Sequence, residues 1–295
     1  MEKSIDNNIT LFYDTFGSPG GRPLLLIMGI GSQMIAWPEA FCRALAENGH
    51  WVIRFDNRDV GLSTKIDWMK MPSFKAAEEA YNEGRPVKAP YNLADMGRDG
   101  IGLLNELNIA QAHVCGLSLG GMIAQTMAIE FPARFKSLIS MQSSPSDKTL
   151  PPPTAEALNF LMTIPPLERE AYCRHMGRAF KAFSGGSPFY DEAMEIEIAQ
   201  QSYDRCFYPP GFGRQYLARL ASGSRKFALH SVRTPSLVIH GDSDTLLPPE
   251  HGLATAEAIP DSRWLLVEGL GHGLSYPKLW PILIKAITDH TKGLD

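Results

Sequence analysis

The feature that most constrains the fold is a regular alternation of short apolar runs and amphipathic stretches along the chain. Continuous apolar runs such as 24–28 and 236–239 are typical of strands that are buried on both faces. The stretches between such runs have helical spacing, as 38–48 does before it stops at Gly49. Strand–helix alternation of this kind predicts an α/β domain with a mostly parallel sheet and helices on both faces.

The predicted elements cover most of the chain. The predicted strands are 9–16, 24–28, 51–55, 113–115, 138–141, 236–239 and 264–267. The predicted helices are 38–48, 91–107, 120–130, 249–259 and 281–290. Because the carboxyl ends of parallel strands lie at one edge of a sheet, the loops that follow these strands are where a functional site is expected.

The alternation is interrupted at 146–226, where proline pairs and helical periodicity replace the strands and eleven aromatic residues occur. Helices outside a sheet must bury such rings against its rim or against a ligand. We therefore predict an α-helical cap at 146–226 on a core formed by 1–145 and 227–295. The alternative is that the rings form the cap's own small core. A second irregular stretch, 64–90, is either a surface excursion or a second wall of the pocket.

Composition and charge exclude several function classes. With 28 basic and 32 acidic side chains the net charge is −4, so no basic excess is present to bind nucleic acid. The chain has no apolar run of 18 residues, and 1–8 lack the apolar segment of a signal peptide, so we expect a cytoplasmic protein with no membrane partner. No metal-ligand spacing occurs, and we expect separate reduced thiols at Cys42, Cys115, Cys173 and Cys206.

A candidate nucleophile lies between a predicted strand and a predicted helix. The sequence 116–120 reads Gly-Leu-Ser-Leu-Gly and matches G-x-S-x-G, with Ser118 at its centre. A sharp strand-to-helix turn strains the serine backbone and leaves no room for side chains two residues before or after it. The turn would expose the Ser118 hydroxyl at a helix N-terminus, where unpaired N–H groups favour a developing negative charge.

A serine hydroxyl needs a base, and the imidazole of that base needs an orienting carboxylate. Among eight histidines, His272 follows a predicted strand in a glycine-rich loop, which suits it to reach over the carboxyl edge of the sheet. Asp242 and Asp244 both follow the strand 236–239. We favour Asp244 as the orienting acid, since it lies farther along the loop, and interpret Asp242 as a residue that stabilises the loop.

The reaction also needs hydrogen-bond donors for an oxyanion. We predict the backbone N–H of Leu119, directly after the serine, and that of Ile30, in the glycine-containing turn 28–31. The charged loop 56–63 is expected to brace neighbouring loops through Asp–Arg hydrogen bonds, and lining the site is the alternative. No cofactor is expected, because 116–121 is neither G-x-G-x-x-G nor a phosphate-binding loop.

These motifs together resemble the α/β-hydrolase superfamily over nearly the whole chain. Within it, the runs 25–29, 54–63 and 113–118 resemble the aclacinomycin methylesterase family and related esterases of polyketide and macrolide antibiotics. The resemblance implies an α/β-hydrolase fold with a mostly parallel eight-stranded sheet and an inserted cap. It also implies Ser118, Asp244 and His272 as the catalytic triad, with Ile30 and Leu119 as oxyanion donors. Haloalkane dehalogenases and epoxide hydrolases carry an aspartate at the strand-to-helix turn where this chain has Ser118. The serine therefore argues against both of these enzyme classes.

The expected activity is serine-dependent hydrolysis of a carboxylic ester through an acyl-enzyme. The substrate would be a small molecule, a bulky hydrophobic ester or lactone such as a methyl ester or a macrolide antibiotic, and the enzyme would be a monomer or homodimer. Hydrolysis of a carbon–carbon bond or a thioester by the same triad, or a ligand-binding receptor on the same fold, are the alternatives. The expected wall residues, from the cap and from the stretch 64–90, are Trp68, Met69, Tyr172, Phe180, Phe183 and Tyr203.

Overall fold

The structure is a computed structural model that describes residues 1–5 and 9–294. Residues 6–8, part of the N-terminal stretch analysed above for a signal peptide, and residue 295 lie outside the described residues. The described strands are β1 Glu2–Ile5, β2 Ile9–Phe16, β3 Arg22–Ile27, β4 His50–Phe55, β5 Ala112–Leu117, β6 Phe135–Met141, β7 Ser236–Gly241 and β8 Arg263–Val267.

Within the described ranges these eight strands form one sheet in the order β1-β2-β4-β3-β5-β6-β7-β8. The first two strands are antiparallel to their neighbours, and every pairing from β4 to β8 is parallel. The predicted fold class, an α/β-hydrolase fold with a mostly parallel sheet, is confirmed. The parallel part brings the carboxyl ends of β3, β5, β6, β7 and β8 to one edge, which is where the loops with the candidate residues begin.

Helices fill the connections between the strands. Their bounds are α1 Glu39–Glu47, α2 Phe74–Asn82, α3 Leu93–Glu106, α4 Leu119–Glu130, α5 Ala155–Met162, α6 Arg169–Phe183, α7 Glu192–Arg205, α8 Pro210–Ser222, α9 Lys226–Leu229, α10 Pro249–Ala258 and α11 Trp280–Thr291. The start of α3 is fixed by a capping box, in which Asn92 and Asp95 each accept a hydrogen bond from the other's backbone N–H. Every helix predicted from apolar spacing in the core is present within two residues of its predicted bounds.

The strand side chains explain why both faces of the sheet are covered. In β3, Leu25 and Ile27 join one buried cluster, which includes residues of α3 and α4, whereas Leu24 and Leu26 join a second, which includes residues of α1 and α11. Successive side chains of a strand point to opposite faces, so a continuous apolar run requires a helical layer on each side. The four cysteines are free thiols, as predicted.

The stretch 64–90 was expected to be irregular, and this is wrong for part of it. Nine of its residues form α2, whose N-terminus is capped by the Ser73 side chain, which accepts a hydrogen bond from the N–H of Ala76. A serine that precedes a run of strong helix formers, here Lys-Ala-Ala-Glu at 75–78, is a helix-start signal that could have been recognised. The helix packs against α8 and buries Ala77 and Ala80.

Five helices, α5 to α9, lie between β6 and β7, and the first four make up most of the segment 146–226, which we call the insert. Helix α6 packs against both α5 and α7, while α8 packs against α2 and α3. Two buried ion pairs connect the insert to the loop 56–63 of the sheet layer, as described below. No helix in the described part of the chain combines the length and apolar character needed to cross a membrane.

Candidate active site

Ser118 stands alone between the end of β5 and the start of α4, with a backbone φ of 57° and ψ of −120°. A positive φ is uncommon for a residue with a side chain and marks a strained turn. Both flanking glycines are required by space: a Cβ on Gly116 would lie 2.0 Å from the Gly120 carbonyl oxygen, and a Cβ on Gly120 would lie 2.0 Å from that of Ile27. The G-x-S-x-G spacing is therefore the only one that this turn admits.

Asp244 is buried in the loop after β7, and each of its carboxylate oxygens has partners. Oδ1 accepts hydrogen bonds from the N–H groups of Leu246 at 3.0 Å and Leu247 at 2.8 Å. Oδ2 lies 2.7 Å from Nδ1 of His272 and 3.3 Å from Nε2 of His240. Burial raises the pKa of Asp244, but the two imidazoles, His272 above all, outweigh burial and hold the pKa well below its usual range.

The loop that carries His272 is held from two sides. The His272 N–H donates to the carbonyl of Phe183, at the end of α6, at 3.1 Å. On the other side, the Gln142 side chain accepts from the N–H of Gly273 at 2.6 Å and donates to its carbonyl at 3.1 Å. The Phe183 ring also meets the imidazole edge-on, with 6.4 Å between centroids. These contacts fix the loop, while the Asp244 carboxylate fixes the ring.

Ser118 and His272 line one cavity at the carboxyl edge of the sheet. Neither the Ser118 hydroxyl nor Nε2 of His272 makes a hydrogen bond with any other described residue. Both groups are therefore available to a ligand in the cavity. Hydrogen bonds between a nucleophile and its base are commonly long in an empty site and tighten when substrate binds.

The turn 28–31 lies directly against the serine, since a Cβ on Gly29 would be 3.2 Å from Cβ of Ser118. Within this turn the N–H of Gly31 is already used by the Gln215 side chain at 2.8 Å. The N–H groups of Ile30 and Leu119 make no hydrogen bond with the described residues. Ile30 lines the cavity, whereas the Leu119 side chain is buried behind it.

The cavity has a volume of about 480 Å³ and a mostly apolar wall. Of the six predicted wall residues, Tyr172, Phe180 and Phe183 line it. Trp68 and Met69 do not, and their side chains are 65% and 43% exposed, because their loop turns outward after buried Ile66.

Tyr203 also does not line the cavity. Its ring stacks on Phe207 with 4.5 Å between centroids, and its hydroxyl donates to the carbonyl of Leu167 at 2.8 Å. Tyr203 thus belongs to the insert's own packing, which was the alternative for its aromatic residues. The prediction that Trp68, Met69 and Tyr203 line the cavity is therefore wrong.

Other wall residues were not predicted from the sequence. Met71 and Phe74, from the stretch 64–90, reach the cavity in place of Trp68 and Met69. Helix α7 contributes a stripe with helical spacing, which consists of Glu195, Ile198, Ala199 and Ser202, continued by Cys206 just beyond the helix. The 3.6-residue period was visible in the sequence, but the period alone does not say which face of an insert helix meets the cavity.

The loop 56–63 braces its surroundings through Asp–Arg contacts, as predicted. Asp56 pairs with Arg205, at the end of α7, at 2.7 Å, and Asp59 pairs with Arg214, on α8, at 2.9 Å. Both carboxylates are fully buried. Val60 and Gly61 of the same loop also line the cavity, so the bracing loop forms part of its wall. No group of three or more His, Cys, Asp or Glu in the described ranges is arranged to hold a metal ion.

The sequence profile of the alpha/beta hydrolase fold matches residues 22–279. The chain belongs to the α/β-hydrolase family. Two relatives of this α/β hydrolase are rhodomycin D methylesterases. DauP from Streptomyces sp. (strain C5) is 28% identical, with 97% of this chain and 96% of the relative aligned. DnrP from Streptomyces peucetius is also 28% identical, with 98% and 97% aligned.

The fold of this α/β hydrolase is shared by solved structures of low sequence identity. A meta-cleavage product hydrolase from Pseudomonas fluorescens IP01 superimposes with a TM-score of 0.76 at 18% identity, with 100% of this chain and 98% of that one covered. At this identity the likeness concerns the fold alone.

Proposed function

We propose that this α/β hydrolase is a serine-dependent carboxylic ester hydrolase with Ser118, His272 and Asp244 as its catalytic triad. The observation that carries the proposal is the 2.7 Å contact between Asp244 and His272 at the edge of the cavity that also holds Ser118. A triad built from distant parts of the sequence is supported because Ser118 and His272 line the same cavity and Asp244 contacts His272. The order Ser, Asp, His along the chain is the one that accompanies an elbow serine in this family.

The proposed reaction begins when the Ser118 hydroxyl attacks the ester carbonyl and Nε2 of His272 takes its proton. The carbonyl oxygen becomes an oxyanion, which the N–H groups of Ile30 and Leu119 stabilise. The imidazolium then protonates the departing alcohol, which leaves an acyl group on Ser118. In the second half a water molecule gives one proton to His272 and attacks the acyl carbon. The bond to Ser118 then breaks, the imidazolium returns its proton to the serine oxygen, and the acid is released.

Asp244 remains ionised throughout this cycle. Its lowered pKa, caused by the neighbouring imidazoles, favours the charged form of the carboxylate. The contact with Nδ1 of His272 places the proton of the neutral ring on that nitrogen and leaves Nε2 free to accept. The two backbone donors on Oδ1 prevent the carboxylate from rotating away.

We further propose a bulky, largely apolar ester or lactone as substrate, including methyl esters and macrolides. The cavity volume of about 480 Å³ and its aromatic wall support a ligand of this kind. The names of the two Streptomyces relatives, both methylesterases, support a methyl ester. The insert 146–226 acts as the cap over this cavity, with residues 1–145 and 227–295 as the core, because α6 and α7 supply much of the wall.

The test is turnover of a panel of methyl esters, lactones, thioesters and β-diketones by the wild type and by Ser118→Ala. We expect the wild type to cleave esters, and Ser118→Ala to lose several orders of magnitude of kcat. A fluorophosphonate should label the wild type at Ser118 and leave the variant unlabelled. Ser231→Ala, the same change at an exposed serine, is the matched control and should behave as the wild type.

Two outcomes would contradict the proposal. Ester hydrolysis by Ser118→Ala at the wild-type rate would exclude the serine mechanism. Labelling of Ser118 together with no turnover of any ester, but cleavage of a thioester or a β-diketone, would retain the triad and assign it to a different reaction.

A further inference from the structure

Helix α7 presents one carboxyl group to the mostly apolar cavity. Its cavity-facing stripe consists of Glu195, Ile198, Ala199 and Ser202. Glu195 is only 6% exposed. The described residues that line the cavity include no other acidic side chain and no lysine or arginine. Two histidines, His175 and His272, also line the cavity, but neither forms a hydrogen bond or an ion pair with Glu195, and His272 pairs with Asp244.

The contacts of Glu195 leave half of its carboxyl group available. Oε2 accepts a hydrogen bond from the Ser275 hydroxyl at 2.6 Å. Oε1 makes no hydrogen bond with any described residue. Two other acidic residues of α7 have basic partners at the surface, since Glu192 pairs with Lys181 at 3.0 Å and Asp204 with Arg169 at 2.6 Å. Glu195 alone on this helix directs a carboxyl group inward.

The burial of this carboxyl group is unfavourable as long as it has no cationic partner. Burial raises the pKa of Glu195 to about 7, and the hydrogen bond from Ser275 lowers it only in part. The ionisable side chains near it are Tyr172, Tyr190 and Tyr276, whose pKa values burial raises, so they stay neutral. A leucine or glutamine would fill the same space without this cost. A carboxylate becomes favourable here once a cation enters the cavity.

We propose that Glu195 forms an amine-binding subsite, at which its free carboxylate oxygen receives a protonated amino group of the substrate. The inference rests on the proposed ester hydrolysis and adds a substrate class to it: bulky apolar esters that carry a basic amine. Ammonium and carboxylate form a charge-assisted hydrogen bond, which is stronger than a neutral one and stronger still away from water.

The subsite lies close to the reacting centre. Ser275, which contacts Glu195, follows His272 by three residues in the same loop, so their Cα atoms are at most about 11 Å apart. Glu195 and Ser118 line the same cavity of about 480 Å³. We therefore expect the amine and the ester of a preferred substrate to lie within one compact molecule, with its apolar body against Phe180 and Phe183.

The experiment uses two methyl esters of naphthalenecarboxylic acid that differ in one substituent, aminomethyl or ethyl. These groups have the same number of heavy atoms and differ in charge. We expect the wild type to show a kcat/KM at least tenfold higher for the amine. In Glu195→Gln, whose amide oxygen still accepts from Ser275, the ratio of the two values should fall at least tenfold. Glu197→Gln, the same change on the exposed side of α7, should keep the wild-type ratio.

A ratio that is equal in the wild type and in Glu195→Gln would overturn the subsite. Glu195→Asp, which keeps the charge but shortens the side chain, provides a second variant and should give an intermediate ratio. If neither ester is cleaved, the proposed ester hydrolysis fails. The amine-binding subsite is then tested separately, by the affinity of uncleavable analogues. In that case calorimetry with the corresponding aminomethyl and ethyl naphthyl methyl ketones is used. The amine must bind the wild type at least tenfold more tightly than Glu195→Gln, and equal affinity would overturn the proposal.

Discussion

Replacement of Asp244 by asparagine tests the proposed triad at its most buried member. The carboxylate accepts from two backbone N–H groups on Oδ1 and faces His272 and His240 with Oδ2. An asparagine has one oxygen and one NH₂ group for these two sides. If its oxygen keeps the backbone donors, the NH₂ group faces His272 and donates to Nδ1. The proton of the neutral ring must then move to Nε2, where it blocks acceptance of the serine proton.

The opposite rotamer of the amide is no better. Its NH₂ group would then face the two backbone N–H groups and leave buried donors without acceptors, at a cost of roughly 1–3 kcal/mol each. We therefore expect Asp244→Asn to adopt the first arrangement, to remain folded, and to lose about 10⁴-fold in kcat through the wrong tautomer. This loss corresponds to about 5.5 kcal/mol of transition-state stabilisation.

The assay is steady-state hydrolysis of the best ester found in the panel, with circular dichroism and thermal unfolding to verify the fold. Asp242→Asn is the matched control, since Asp242 lies in the same loop. Its Oδ1 accepts from the N–H of Gly269 at 2.7 Å and from the Ser243 hydroxyl at 2.9 Å, which an amide oxygen can also do. The reasoning is refuted if folded Asp244→Asn keeps more than a tenth of wild-type turnover, or if Asp242→Asn shows the greater loss.

Two further predictions concern stability and are measured by urea unfolding. Gly120→Ala would place a Cβ 2.0 Å from the backbone oxygen of Ile27 in β3, so the free energy of unfolding should fall by about 3 kcal/mol or more, and a loss under about 1 kcal/mol would contradict the clash. Burial raises the pKa of Glu195 from 4.5 to about 7, so the folded state binds more protons than the unfolded state between these values. Wild-type stability should therefore include a loss of roughly 3 kcal/mol as the pH rises through this window, which Glu195→Gln should lack. If the free energy of unfolding of the wild type and of Glu195→Gln changes with pH in the same way, the pKa of Glu195 is not raised by burial.

The sequence was sufficient for the core of the fold because its signals are local. An apolar run such as 24–28 is typical of a strand that is covered on both sides, and β3 places alternate leucines in two clusters. The elbow around Ser118 is equally local, since the glycine requirements act within five residues. In the sequence, Asp244 is favoured over Asp242 by its position farther along the loop. The contact between Asp244 and His272 supports the same assignment.

The walls of the cavity could not be predicted in the same way. Trp68 and Met69 lie in an irregular loop, where no period tells an inward side chain from an outward one. The second imidazole beside Asp244, that of His240, is the fifth residue of β7, and its contact depends on how the chain turns back after the strand. Each of these positions is set by tertiary contacts rather than by neighbours in sequence.

The orientation of α7 shows what the missing information is. Its cavity-facing stripe is set by the buried pair between Arg205 and Asp56 and by the Gln33 side chain, which donates to the carbonyl of Ser202 at 2.7 Å. The two contacts join residues that are far apart in the chain, 149 positions for Arg205 and Asp56 and 169 for Gln33 and Ser202. A rotation of α7 by one residue, 100° about its axis, would turn Glu195 out of the wall and break both contacts. The contacts that hold α7 against the core thus decide that a carboxyl group, rather than an apolar side chain, faces the cavity.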